Sequence, residues 1–188
     1  MTSDRIIAPQ LALNTKSSAL PLEPGITPPT ISYPFQIQVA ALGTKPYSDA
    51  ISIASNSTVA SYTSLYRHAI LHSLKATIHP TARAPAYPCD VSVAWVPANS
   101  SATPAQVLSV YGGQMFCIGG AINSTQPIDF PCNLTQVNPT IKDSVTFTDT
   151  PKLIVNSTVG ASPPTVPTCH LTITGIVTLH SPLLQASA

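Results

Sequence analysis

Charge is what this 188-residue chain has least of: Lys, Arg, Asp and Glu together make up 8% of it, about a third of the usual share. With 44% apolar residues and a net charge of +1, the composition is the opposite of a disordered chain's. Long apolar runs are also missing. None approaches the ~18 residues of a membrane span, and no membrane partner is expected. The first 30 residues have no basic start followed by an apolar stretch, the mark of a secretory leader. A reducing cytosol is therefore the expected compartment, with Cys89, Cys117, Cys132 and Cys169 as thiols. Their spacing fits no zinc pattern. Without secretion, the Asn-x-Ser/Thr triplets at Asn56, Asn99, Asn123, Asn133 and Asn156 carry no meaning beyond composition. Glu23 is the single glutamate, which leaves little carboxylate for acid–base chemistry. A lone subunit so poor in charge and so near its isoelectric point would dissolve badly. Burial of much of its surface against other copies accounts for the composition.

What the chain does have is strand patterning around one central stretch, Trp95 to Asn123. Val91, Val93 and Trp95 alternate with Asp90, Ser92 and Ala94, the period of a half-buried strand, and Pro97 stops it. Thr103, Pro104 and Gln106 form a helix start in which Gln106 can reach back. Gly112 and Gly113 end that helix, and Met115 to Ile118 reads as a further strand closed by Gly119 and Gly120. Elsewhere Phe35, Ile37, Val39 and Ala41 share a predicted face, and Ile51 and Ile53 mark a short strand. Ser57 to Tyr66 has a weak helical period, and Ala69 to Ile78 is a longer extended segment. Ile128 to Leu134 reads as an edge strand interrupted by Pro131. Val145 and Phe147 lie on one face of another strand, and Lys152 to Val159 and His170 to Leu179 are the last two. About eight strands without alternating long helices predict an all-β, antiparallel sandwich or barrel with short helices in its loops.

Residues 1–30 hold Pro9, Pro21, Pro24, Pro28 and Pro29, too many for a regular element. They are predicted to form a flexible arm ahead of a domain at 31–188. The arm's charges, Asp4, Arg5, Lys16 and Glu23, cancel. A nucleic-acid tail would instead be a basic block, so the arm is expected to lie along neighbouring protein.

Catalytic and metal constellations fail on spacing. His68 and His72 are four apart, but an extended chain separates them by about 13 Å. Cys169 and His170 are adjacent and so point to opposite faces of a strand. The glycine pairs are not followed by the Lys-Ser/Thr of a phosphate loop, and no G-x-S-x-G elbow occurs. No enzyme, metal or bound cofactor is expected. Arg67, Lys75 and Arg83 form a candidate basic patch, and Trp95 a core or interface anchor.

Taken in order, YRHA (66–69), TIHPT (77–81), WVPAN (95–99), TPAQ (103–106), VYGGQ (110–114), IGGAIN (118–123), KDS (142–144), DTPKLI (149–154) and LHSPL (179–183) closely resemble the coat proteins of tymoviruses. The resemblance implies an eight-stranded antiparallel jelly-roll β-sandwich. It also implies self-assembly into pentamers and hexamers of a non-enveloped T=3 icosahedral shell around a positive-sense single-stranded RNA genome. The expected locations are the virion and, before assembly, the host cytoplasm. By the same resemblance the histidines in YRHA and LHSPL, His68 and His180, face the interior and contact RNA. Independently, His180 falls on the polar face of its strand, opposite Leu171, Ile173, Val177 and Leu179. An imidazole, ordinarily titrating near ~6.5, gains charge beside phosphate as pH falls.

Roughly 180 chains in such a shell, at +1 each, supply on the order of 200 positive charges. A genome of roughly several thousand nucleotides carries one negative charge per phosphate, more than about tenfold as many. Small cations must make up the difference, and the resemblance implies polyamines. Assembly should then be driven by protein contacts, with RNA dispensable. The alternative is a monomeric jelly-roll carbohydrate-binding module, although this chain has few of the exposed aromatics and carboxylates such sites use. Electron microscopy of the protein purified without nucleic acid should show assembled particles; a species of single-chain mass under all conditions would favour the module.

Overall fold

The computed structural model describes residues 30–120, 126–146 and 150–183. Ten strands occur among them: β1 (Thr30–Leu42), β2 (Tyr47–Ser52), β3 (Tyr66–Pro80), β4 (Cys89–Pro97), β5 (Gln114–Ile118), β6 (Ile128–Pro131), β7 (Thr140–Asp143), β8 (Val145–Thr146), β9 (Pro151–Val159) and β10 (Cys169–Pro182). One sheet runs β1-β10-β3-β7-β8, with β6 also on β3, and the other runs β2-β9-β4-β5. All recorded pairings are antiparallel. The two sheets pack as a jelly roll in which β6 and β7 share one strand position beside β3. That sharing, with β8 as a short addition, is why ten strands occupy a fold of eight positions. Four residues, as in β7, are too few to display an alternation in sequence. The predicted arm lies outside the described residues except for Thr30, which opens β1, and Phe147 lies outside them too.

β10 follows the predicted alternation. Leu171, Ile173, Val177 and Leu179 are fully buried, while His170, Thr174, Thr178 and His180 are half-exposed on the other face. In β1 the phase changes. A bulge between Gln38 and Ala40 turns Leu42, rather than Ala41, into the core, and Ala41 is exposed. β3 changes phase as well. Ala69 and Leu71 face inward, and so do Leu74, Ala76 and Ile78, because His72 is an extra residue in the ladder to β10. Such a bulge lets an odd spacing keep both halves of a strand on the core.

The second sheet is closed on its outer side by the chain itself. Ala94 and Val96 of β4 and Ile154 of β9 are buried under Val107 of a 3-10 helix, Pro104–Ser109. Ala94, which alternates with Trp95 along β4, is thereby buried on the outer side of the sheet. Gln106 does reach back, its Oε1 accepting from the Thr103 N–H at 3.1 Å. The predicted helix near Ser57 is present as α1 (Ser57–Thr63), capped by Asn56, whose Oδ1 accepts from the Thr58 N–H. α1 docks on β1 through Tyr62, whose ring stacks on Tyr33 at 5.1 Å between centroids. Trp95 is half-buried at the edge of the core, and its Nε1–H donates to the Phe130 carbonyl at 3.3 Å.

Leu171 lies at the centre of the core. Leu171→Ala should lower stability by about 2–5 kcal/mol, read as an earlier unfolding midpoint in urea with the slope unchanged.

Candidate functional site

The pairing of β3 with β10 sets His68 directly opposite His180, and the pairing of β3 with β7 sets Asp143 on the other side of His68. The three side chains therefore stand in one row across three strands. The imidazole rings are stacked, with centroids 4.5 Å apart and planes inclined by 12°. Asp143 Oδ1 lies 2.6 Å from His68 Nδ1, a charge-assisted contact that places the proton on Nδ1 and leaves Nε2 for a ligand. On the far ring, His180 Nδ1 is 3.5 Å from Ser181 Oγ. Both partners of the ion pair reach solvent, at 30% and 57% exposure for His68 and Asp143, so the row is accessible.

Local backbone shapes the row at both ends. Ser144 follows Asp143 with φ +61°, and Ser181 follows His180 with φ +56°. The left-handed region is costly for any residue but glycine, and here it turns the chain off the sheet immediately after each site residue. The Ser144 N–H donates back to the Arg67 carbonyl at 2.6 Å, which anchors the turn to β3 next to His68.

Each ring keeps its Nε2 for a polar ligand, since Nδ1 of His68 faces Asp143 and Nδ1 of His180 faces Ser181. Among the described residues no cluster of three or more His, Cys, Asp or Glu side chains is disposed to hold a metal.

The sequence singled out His68 and His180 separately, and the structure brings them together. Neither their stacking nor the role of Asp143 had a signal in the residues beyond the KDS motif, since cross-strand register is not written in either segment alone. The other three histidines share the same two strands. His79 and His170 form a second cross-strand pair at the opposite end, with His79 Nε2 2.9 Å from Thr172 Oγ1 and His170 Nδ1 3.4 Å from Gln38 Nε2. His72 is exposed in the β3 bulge. The candidate basic patch is not assembled. Arg67 and Lys75 are separated by about 26 Å of extended chain, Arg83 lies beyond the end of β3, and Lys75 is taken by Asp129 at 2.7 Å. Lys75, followed by Thr77, holds the Asp129 carboxyl below its ordinary value. An open concavity of about 820 Å³ lies on the same face over Gln36, His72, Lys75, Thr174 and Gly175, and is not lined by His68 or His180.

Ser144→Val should cost about 1–3 kcal/mol through its left-handed backbone, whereas Ser144→Gly should leave stability near that of the parent; thermal unfolding of the two variants side by side checks the difference.

Comparison with known proteins gives this geometry its setting. A family model described as tymovirus coat protein matches residues 21–188. The capsid protein of Kennedya yellow mosaic virus (strain Jervis bay) is 66% identical over 188 residues, covering all of both chains. That of turnip yellow mosaic virus is 46% identical over 184 residues, covering 98% of this chain and 97% of its own. The solved structure of desmodium yellow mottle tymovirus superposes with a TM-score of 0.84 at 62% identity, covering 90% of this chain and 97% of that one. Tobacco necrosis virus, at 12% identity and a TM-score of 0.60, shares the fold alone. The role common to these relatives is structural rather than catalytic, and the chain belongs to the tymovirus coat-protein family.

Proposed function

We propose that copies of this chain tile a non-enveloped T=3 icosahedral shell of pentamers and hexamers around a positive-sense single-stranded RNA, and that His68 and His180 touch that RNA from the interior. The observation that carries the RNA contact is the stacked imidazole pair with Asp143 beneath it. Stacked imidazoles that reach solvent offer ring nitrogens able to hydrogen-bond a phosphodiester. Asp143, in contact with His68 Nδ1, fixes the orientation of that ring.

Bulk neutralisation lies elsewhere. A net charge of +1 per chain cannot balance an enclosed genome, and diffusible polyamines fill that role. Self-association then has to come from protein surface. The described residues supply exposed apolar side chains for it, among them Tyr111 at 86%, Leu65 at 60%, Leu108 at 59% and Met115 at 57% exposure. Mature protein resides in the virion, and assembly takes place in the host cytoplasm. The family assignment does not favour a monomeric carbohydrate-binding module.

The double variant His68→Ala/His180→Ala should still form shells but retain less RNA than the parent. The ultraviolet absorbance spectrum of shell fractions from a sucrose gradient, in which bases and protein peak at different wavelengths, gives the readout; RNA content equal to the parent's would remove the proposed contact.

A further inference from the structure

Cys89 opens β4 and Cys169 opens β10, so the two belong to opposite sheets of the sandwich. Their sulfur atoms nevertheless lie 3.9 Å apart, inside the core, with Cys89 3% and Cys169 0% exposed. The backbone just ahead of both is drawn together by Thr168. Its N–H donates to the Leu42 carbonyl at 2.8 Å and its Oγ1–H to the Tyr87 carbonyl at 3.0 Å. Thr81 closes the same corner, its N–H donating to the Thr168 carbonyl at 2.8 Å. The sheets are thus pinched at this end, and the two thiols are the side chains that meet across the pinch.

We propose that Cys89 and Cys169 are an oxidative modification site, at which a peroxide-class oxidant joins the two sheets by a disulfide. A disulfide needs the sulfurs at about 2.05 Å, so they must approach by roughly 2 Å. Both residues are the first of their strands and border loops, 81–88 and 160–168, where the ladder yields most easily.

The Cys169 thiol hydrogen-bonds to Cys89 and pulls the Cys89 thiol below its ordinary value, while the same bond and burial hold Cys169 above. Attack can start from either sulfur of the pair and gives the same product. When Cys89 attacks first, its thiolate takes one oxygen of hydrogen peroxide. An S–O bond forms, the O–O bond breaks, and the departing hydroxide leaves as water with the proton Cys89 released. Cys169 then attacks the sulfenic sulfur. The S–S bond forms, the S–O bond breaks, and hydroxide leaves as a second water with the Cys169 proton. Two thiols and one peroxide become one disulfide and two waters, with two electrons passing from sulfur to oxygen.

The other cysteines are placed differently. Cys132 is half-buried in an apolar setting and its thiol is pushed up to about 12 by burial, which leaves it poor in thiolate. Cys117 is exposed, on a strand whose next residue, Ile118, faces the core.

The test treats the full chain with hydrogen peroxide, blocks remaining thiols with iodoacetamide after unfolding, and maps non-reduced peptides by mass spectrometry. The expected product is a Cys89 peptide joined to a Cys169 peptide within one chain, two hydrogens lighter than the pair and released by dithiothreitol. The oxidised parent should also unfold at a higher temperature than the reduced parent, a difference that Cys169→Ala abolishes. Recovery of both residues as carbamidomethyl-cysteine, or as separate sulfinic acids, would overturn the proposal without reliance on any variant. A link from either one to Cys117 or to another chain would overturn it equally.

Discussion

The antiparallel register between β3 and β10 is the constraint on which the rest of this protein depends. It fixes which half of each strand faces the core, and because side chains alternate, a slip of one residue would invert every one of them. It also makes the site, because only this register sets His68 against His180. Core and site are therefore one commitment. Ala69 and Leu179 are packed by the same pairing that, one residue further along, stacks two imidazoles on the outside.

The two sheets are finished unequally. The β4 and β9 side is roofed by its own 3-10 helix, so β4 is buried on both faces for much of its length. The outer side of β1, β10 and β3 carries every histidine in the chain, two ion pairs and an open concavity. In a chain with so few charges, this concentration of titratable groups on one face makes the molecule polar in distribution though nearly neutral in sum. A coat protein has to show different surfaces to its copies and to its contents, and an uneven body provides them.

Fold class was legible because the alternation in β10, β4 and β9 is strong and prolines and glycines punctuate it. Boundaries and phase were less so. Val39 and Ala41 read as core partners of Phe35, yet a bulge hands the inward position to Leu42. Ala69 to Ile78 read as one extended segment, although its apolar residues switch from odd to even positions at His72, a written trace of the bulge that alternation counting passes over. β7 is too short to leave a period. At the site, the outward direction of His180 followed from parity alone. The stacking and the Asp143 contact required pairings between segments more than 70 residues apart in the case of His68 and Asp143, and 112 apart for the two histidines. No local pattern encodes those.

The extra residue in β3 also sets what kinds of change the strand can absorb. His72 is exposed and has no cross-strand partner in β10, so the ladder depends on its presence rather than on its identity. Excising it would carry the first half of β3 half a repeat along the second and point Leu71 and Ala69 at water. Substitution there leaves the ladder intact whereas loss of the residue breaks it, so the position acts as a spacer.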